Sequence, residues 1–212
     1  MNDISSLRKE YASAQLDMGS IEKSPLIQFE KWFQDALRAD ILEPNAMVLS
    51  TVDTASNPSQ RTVLLKELDA SGFVFFTNYS SQKAQQLDLH PYASLLFPWY
   101  TLERQVSIRG KVEKVDIETS RAYFYSRPYG SQLGAWVSRQ SSSIESREIL
   151  DAKLAELKSK YPVGTVPFPD FWGGYRLIPT TIEFWQGRQN RLHDRILYEA
   201  VGSNWNIKRL AP

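Results

Sequence analysis

Three guanidiniums and an imidazole fall within eight residues, Arg188, Arg191, His193 and Arg195, near the end of a stretch that begins at Ile182. A guanidinium fork binds carboxylate or phosphate through two parallel N–H bonds, and an imidazole beside it exchanges a proton near neutral pH. Arg191, His193 and Arg195 alternate with Leu192 and Asp194, so a strand here puts all three on one face. That face is a candidate anion site, and the alternative is a solvated basic hairpin. Further cations recur upstream. Arg61 and Lys66 bracket an apolar run, and on a regular strand they face opposite sides about 16 Å apart, too far to grip one phosphate. They could serve two anions or the two ends of one long ligand, or snorkel to water. Lys83 lies in the first turn of a predicted helix, where the dipole disfavours a cation unless an anion binds there too. Tyr123, Arg127 and Ser131 recur every four residues across Pro128, which sets two hydroxyls and a guanidinium in one column if the bend at proline is modest. An ordinary helix surface is the alternative. Gln105, Ser107, Arg109 and Lys111 share one face of a predicted strand, opposite Val106, Ile108 and Val112. His90, at a helix end, fits a dipole partner better than a catalyst.

The elements that must position these groups read as many short strands in hairpin order, interrupted by a few helices. Pro25 opens a helix over 26–39 with Ile27, Phe29, Trp32, Phe33, Ala36 and Leu37 at helical spacing. Strands are predicted over 46–53, 60–68, 73–78, 92–99, 104–116, 174–185, 195–200 and 205–210. Helices are predicted over 80–89, 117–125, 131–137 and 146–161, the last with Ile149, Leu150, Leu154 and Leu157 on one side. Hairpin order points to an antiparallel barrel of the α+β class, mainly β with flanking helices, and the absence of any Gly-x-Gly-x-x-Gly or Walker loop leaves phosphate binding to side chains.

At 212 residues, with 42% hydrophobic and 23% charged residues, the chain predicts one domain over 25–212 with one core, preceded by a loosely held, mobile arm over 1–24 whose Leu7, Tyr11 and Leu16 could dock. A net charge of +1 argues against a nucleic-acid backbone as partner. With 0 Cys and 2 His, no zinc cluster is expected and no metal site is assigned. The first residues lack the apolar core of a signal peptide and no apolar run approaches membrane-spanning length, so a cytoplasmic protein without membrane contact is expected.

Several motifs in order are specific where each alone is not: Arg-Thr-Val-Leu-Leu-Lys at 61 to 66, Leu-Leu-Phe-Pro-Trp at 95 to 99, Leu-Glu-Arg-Gln-Val at 102 to 106, Ser-Arg-Pro at 126 to 128, Gly-Ala-Trp-Val-Ser at 134 to 138, Gln-Ser-Ser at 140 to 142, Phe-Trp-Gly-Gly at 171 to 174, and Glu-Phe-Trp-Gln-Gly followed by Arg-Leu-His-Asp-Arg. Over nearly its whole length the chain resembles the pyridoxine (pyridoxamine) 5′-phosphate oxidases, FMN-dependent enzymes that make pyridoxal 5′-phosphate. The resemblance implies a split antiparallel β-barrel that pairs into a homodimer, with FMN in clefts at the interface contacted from both subunits.

It implies FMN contacts at Arg61, Thr62, Val63, Leu64, Leu65, Lys66, Phe76, Thr77, Gln82, Lys83, Gln105, Gln140, Ser141, Trp185 and Arg195. It implies substrate phosphate at Lys66, Tyr123, Arg127 and Ser131, with Arg191, Leu192 and His193 at the substrate ring and Arg191 and His193 catalytic. Arg8, Lys9, Glu10 and Tyr11 match a segment that can fold over the substrate. Gln82 and Phe76 stand where the pattern commonly has arginine and tyrosine, and Arg188-Gln-Asn replaces a Gly-containing loop, which leaves the role of Arg188 open. The implied reaction is hydride transfer from C4′ of the phosphorylated B6 vitamer to the flavin, with reoxidation by O₂ to hydrogen peroxide. Two rivals remain: a flavin or deazaflavin reductase on the same barrel, which needs no column at Tyr123, Arg127 and Ser131, and a carrier of FMN or pyridoxal phosphate, which needs neither Arg191 nor His193.

Overall fold

The computed structural model describes residues 4–6 and 9–212. The first long helix, α1 (Pro25–Arg38), starts where its sequence provides a cap: the Ser24 hydroxyl accepts the Ile27 N–H, and Pro25 occupies a first-turn position that needs no N–H donor. Its buried stripe is Phe29, Trp32 and Ala36. Ile27 and Leu37, grouped with that stripe by spacing, face solvent at 53% and 49% exposure, since at about 100° per residue Leu37 falls to its side and Ile27 on the opposite face.

Nine strands form one antiparallel sheet: β1 (Ala46–Val52), β2 (Pro58–Leu64), β3 (Glu67–Asp69), β4 (Gly72–Asn78), β5 (Tyr92–Trp99), β6 (Arg104–Lys114), β7 (Trp172–Gln186), β8 (Asp194–Val201) and β9 (Asn204–Leu210). The order is β2-β1-β5-β6-β7-β4-β3, with β8 and β9 added beside β7. β6 runs along β7 from Tyr175 to Gln186. On β7's other edge, Trp172 to Leu177 pair with β4 while Thr181 to Gln186 pair with β8. The sheet therefore divides along β7, which gives a split antiparallel barrel. The division falls at a bulge between Arg109 and Gly110, opposite Pro179, a residue with no N–H to give to a ladder. Only glycine fits at 110, because a Cβ there would lie 2.0 Å from the Ile178 carbonyl oxygen.

The helices α2 (Gln82–Leu89), α3 (Ile117–Ser126), α4 (Tyr129–Val137) and α5 (Glu148–Lys160) complete the fold. The main core centres on Phe29, whose ring meets Phe73 and Phe97 edge-on at centroid distances of 4.9 Å. A single core does not hold. Phe124, Leu133, Leu157, Val166 and Trp172 form a second cluster where α3, α4 and α5 pack near the start of β7. On α5 only Leu157 is buried and Ile149 is 47% exposed, so the predicted four-residue face shrinks to its C-terminal end.

The strand predicted over 60–68 is two strands, because the chain bends through Leu65 and Lys66 between β2 and β3. The Leu65 N–H turns to the Asn45 carbonyl and the Lys66 N–H to the Val74 carbonyl. Toward the N-terminus, Leu16 is 5% exposed within the main core, its N–H donates to Asp194 Oδ2, and its carbonyl accepts from Arg209. The Tyr198 hydroxyl donates to the Glu22 carbonyl at 2.7 Å. The expected contacts of Leu7 and Arg8 lie outside the described residues. Among the described residues no helix is long and apolar enough to cross a membrane.

Candidate functional site

The predicted site residues fall into two groups. The first lines a cavity of about 850 Å³ between β2, β4, the first turn of α2, the α3–α4 corner and the segment around Gln140. Arg61, Thr62, Val63, Leu64, Lys66, Phe76, Thr77, Gln82, Lys83, Tyr123, Arg127, Ser131, Gln140 and Ser141 all face it. Arg61 and Lys66 therefore do not point to opposite sides, because the bend after Leu64 returns Lys66 to the cavity. The exception among the predicted run is Leu65, which is 7% exposed and packs in the main core.

Four cations, Arg61, Lys66, Lys83 and Arg127, line this space, and no described Asp or Glu does. None of the four is in a salt bridge with a described carboxylate. Lys83 is 7% exposed; its Nζ donates to Gln140 Oε1 at 2.9 Å and to Thr77 Oγ1 at 3.2 Å, and the Thr77 hydroxyl donates to the same Gln140 oxygen. Burial, and then the nearby Arg61 charge, pull its ammonium from 10.5 down to about 8. Arg61 is anchored through Nη1, which donates to Thr51 Oγ1 at 2.6 Å and to the Leu49 and Ser59 carbonyls, and burial lowers its pKa as well.

Arg127 is held by aromatic faces in place of a counter-ion. Its guanidinium lies 4.7 Å from the Trp172 ring centroid and 5.8 Å from that of Phe124, and burial lowers its pKa. Its Nη1 is buried with no hydrogen-bond partner among the described residues. A charged donor in that state is costly unless a ligand acceptor reaches it. Tyr123, Arg127 and Ser131 do not form a straight helical column, because α3 ends at Ser126 and Arg127, before Pro128, is extended (φ −74°, ψ 149°). The corner nonetheless turns all three toward the cavity. Behind them Phe76 stacks on Tyr123 at 4.0 Å and on Trp172 at 5.5 Å, so the phenylalanine at 76 acts as a ring spacer.

The second group is a wall at the far end of β7. Gln105, Trp185 and Arg195 are cross-strand neighbours on β6, β7 and β8. Arg195 makes two bonds to Glu183, at 2.7 and 3.1 Å, which raise its pKa above the usual arginine value. Arg191 and His193 do not share a strand face with Arg195, because β8 begins only at Asp194. Gln189 to Arg191 form a single 3-10 turn, with Asn190 and Arg191 in the left-handed region at φ 57° and 61°. Arg191 and Leu192 are exposed, and His193 is half-buried with its ring 4.6 Å from that of Trp185. The Arg188 N–H donates to His193 Nδ1 at 3.1 Å, so the neutral imidazole carries its proton on Nε2. Arg188 also ties Ala14, through a 3.3 Å bond to its carbonyl, and approaches Asp194 at 3.8 Å, which gives it an anchoring role.

Tyr11 stands edge-on to Trp185 at 5.8 Å and equally close to His193. Lys9 pairs with Glu103 and Glu10 is exposed. None of the wall residues lines the cavity. The groups that spacing alone does not single out are Trp172, which seats Arg127, Thr51, which seats Arg61, and Glu103. The first and last lie inside the motifs that carry the resemblance, and Thr51 has no sequence signal.

Residues 33–161 match the family described as pyridoxamine 5′-phosphate oxidase, and residues 172–212 match a pyridoxine 5′-phosphate oxidase C-terminal dimerisation region. The chain is 55% identical to a pyridoxine/pyridoxamine 5′-phosphate oxidase of Crocosphaera subtropica, over 99% of this chain and 100% of that protein. It is 54% identical to the enzyme of the same name from Aliarcobacter butzleri, over 99% and 100%. Among solved structures, PhzG from Burkholderia lata, in complex with tetrahydrophenazine-1-carboxylic acid, superposes with a TM-score of 0.88 at 28% identity, covering 95% of this chain and 100% of that one. The chain belongs to the pyridoxamine 5′-phosphate oxidase family.

Proposed function

We propose that the protein is an FMN-dependent oxidase that converts pyridoxine 5′-phosphate or pyridoxamine 5′-phosphate to pyridoxal 5′-phosphate. The alcohol and O₂ give the aldehyde and hydrogen peroxide; the amine also consumes water and releases ammonia. The observation that carries this reading is the cavity with four cations, no described acid and an unpartnered Arg127 Nη1. Its volume lies within the range of pockets that enclose small ligands, roughly 300–1,000 Å³. The donor set fits phosphorylated ligands, since the guanidiniums supply forks and the lysines point charges. Lys83, Arg61, Gln140 and Ser141 would hold FMN, and Arg127, Tyr123, Ser131 and Lys66 the substrate phosphate.

FMN, held by Lys83, Arg61, Gln140 and Ser141, would supply the two-electron acceptor and its route to O₂. The chain's own part is to bind, orient and manage charge. Arg127, seated on Trp172, fixes the phosphate end of the substrate, which restricts where its reacting carbon can lie. His193, with Nδ1 committed to a backbone N–H, presents Nε2–H to a ring substituent and can hold or move a proton there. Arg191, exposed on its 3-10 turn, would cover the outer face of the ring and hold the ring's phenolic oxygen as the anion, which offsets the electron deficiency left at C4′ as hydride departs.

The wall residues lie inside the stretch that matches a dimerisation region, and they do not line their own cavity. In our reading the protein is a homodimer in which the wall of one copy completes the cavity of the other. An aerobic assay with purified yellow protein and pyridoxine 5′-phosphate, recording peroxide and the pyridoxal chromophore, tests the function. A protein that binds FMN yet forms neither product would overturn it.

A further inference from the structure

Glu103 is a buried carboxylate, 5% exposed, in a backbone conformation that glutamate seldom adopts, with φ 54°. Such a conformation persists only when its surroundings hold it there. Its two functional parts serve different elements. The backbone carbonyl accepts the Gly187 N–H at 2.7 Å and Gln186 Nε2 at 3.2 Å, which braces the end of β7 from which the loop carrying Arg191 and His193 departs. The carboxylate faces the other way. Oε2 accepts the N–H groups of Ala12 at 2.9 Å and Ser13 at 3.1 Å, and Oε1 pairs with Lys9 at 3.2 Å. Sheet and loop are thus braced by the main chain, and the side-chain charge is spent on residues 9–13.

What those bonds position is Tyr11. Its ring lies against both Trp185 and His193 and passes so close to Gly187 that a Cβ there would sit 2.7 Å from Tyr11 Cγ. The glycine leaves room for the ring. Asp194 gives the segment a second hold by accepting the Leu16 N–H at 3.1 Å, five residues further on. Between the two carboxylates the chain is drawn across the wall.

We infer that Glu103 is a positioning residue whose carboxylate latches residues 9–13 over the Trp185–His193 wall, so that Tyr11 closes the side of the site where the substrate ring reacts. The inference rests on the oxidase reading for the identity of what is enclosed, and on the contacts above for the latch itself. Because the carboxylate bonds no described group outside the segment, its removal loosens the segment while β6 and the 187–193 loop keep their main-chain bonds.

The test uses the full-length holoprotein and the variants Glu103→Ala and Glu103→Gln. Hydrogen exchange should show peptides covering residues 9–16 losing protection in Glu103→Ala by about tenfold, as expected for two lost hydrogen bonds, while peptides from β6 and β7 keep theirs. Glu103→Gln, which retains one carbonyl oxygen for the two N–H groups but not the charge for Lys9, should lose less. In the oxidase assay Glu103→Ala should raise KM about tenfold with kcat changed less than twofold. Adding Glu103→Ala to Tyr11→Ala should cause little further change, because both act through the same closure.

Unchanged protection in residues 9–16, or a KM effect that simply adds to that of Tyr11→Ala, would overturn the latch. If Glu103→Ala lost protection throughout β6 and β7, Glu103→Gln would decide the matter, since a role in sheet stability predicts protection and KM equal to wild type for this conservative variant. A wild-type protein inactive on pyridoxine 5′-phosphate, whose 9–16 protection still depends on Glu103, would remove the oxidase reading and leave the latch standing.

Discussion

Lys83→Met removes one charge from the floor of the cavity while keeping most of the side chain's length, and the structure sets the size and sign of the effect. Lys83 is 7% exposed, donates among the described residues to the neutral acceptors Gln140 and Thr77, and has its pKa lowered from 10.5 to about 8 by burial and by Arg61. At about 1.4 kcal/mol per unit, holding the ammonium charged in the empty cavity costs at most about 3 kcal/mol. Between pH 8 and 10.5 the unfolded chain binds more protons at this site than the native one, so native stability rises with pH across that window and carries the full cost below 8. A bound phosphate reverses the balance by drawing the proton back. FMN affinity of the wild type should therefore be level from pH 7 to 8 and fall above it, by up to tenfold per unit, as binding comes to require proton uptake. The variant should bind FMN about 10- to 150-fold more weakly at pH 7, from a lost charge-assisted bond of about 1.5–3 kcal/mol, and should show no such fall. Its FMN-free form should unfold at higher urea. Flavin fluorescence titrations at pH 7, 8 and 9, with urea unfolding of the FMN-free forms, measure all three. Equal affinities, or a pH dependence retained in the methionine variant, would refute the assignment of Lys83 to the phosphate.

The two groups of site residues should fail differently. Arg127→Ala should raise KM for pyridoxine 5′-phosphate by roughly tenfold to a hundredfold at near-constant kcat, whereas Arg191→Met should lower kcat with FMN still bound; steady-state kinetics in one assay separates them. Co-refolding equal amounts of these two variants, each nearly inactive at low substrate, should restore about a quarter of wild-type activity, because half the dimers are mixed and each mixed dimer has one intact site; no recovery would refute the shared site. Glu103, raised by burial but held down more strongly by the Ser13 hydroxyl and N–H, by Lys9 and by the Ala12 N–H, has its pKa lowered from 4.5 to about 2. Its contribution to docking is present above 4.5 and lost as pH falls through 2, so intrinsic-rate-corrected exchange of residues 9–16 should not change between pH 7 and 5.

Periodicity finds the elements well because α1, β1, β5 and β6 each bury one regular face. It fails where the backbone departs from regularity. The run Val63-Leu64-Leu65-Lys66-Glu67-Leu68 reads as one strand, since nothing in its composition marks the bend that sends the Leu65 N–H to Asn45 and the Lys66 N–H to Val74. The same bend turns two charges that a regular strand would set on opposite faces toward one cavity. Alternation places Arg191 and His193 on a strand, but Asn190 and Arg191 adopt the left-handed region, which a two-residue pattern does not encode. The Tyr123, Arg127 and Ser131 spacing groups residues that do share one cavity, but a broken corner, not a straight helix, brings them together. Glu103 cannot be weighed from its neighbours, because its carboxylate is used by a segment about ninety residues earlier in the chain.

The placement of the two groups follows from the length of β7. Phe76 and Thr77, at the cavity, pair with Gly174 and Gly173, and the wall pairs at Trp185 with Gln105 and Arg195. From Gly174 to Trp185 an extended strand runs roughly 36 Å at about 3.3 Å per residue, which the bulge at Gly110 shortens but does not fold back. No side chain spans that distance, so within one copy the cations that would hold phosphate and the imidazole and guanidinium that would manage the ring cannot meet on one small ligand. A twofold axis removes the conflict, because it can set the far end of β7 in one copy beside the near end in the other and does so twice at once. On this account the matched dimerisation region contributes chemistry as well as adhesion, and a separated protomer would keep its phosphate cations and lose the ring-facing half of its site.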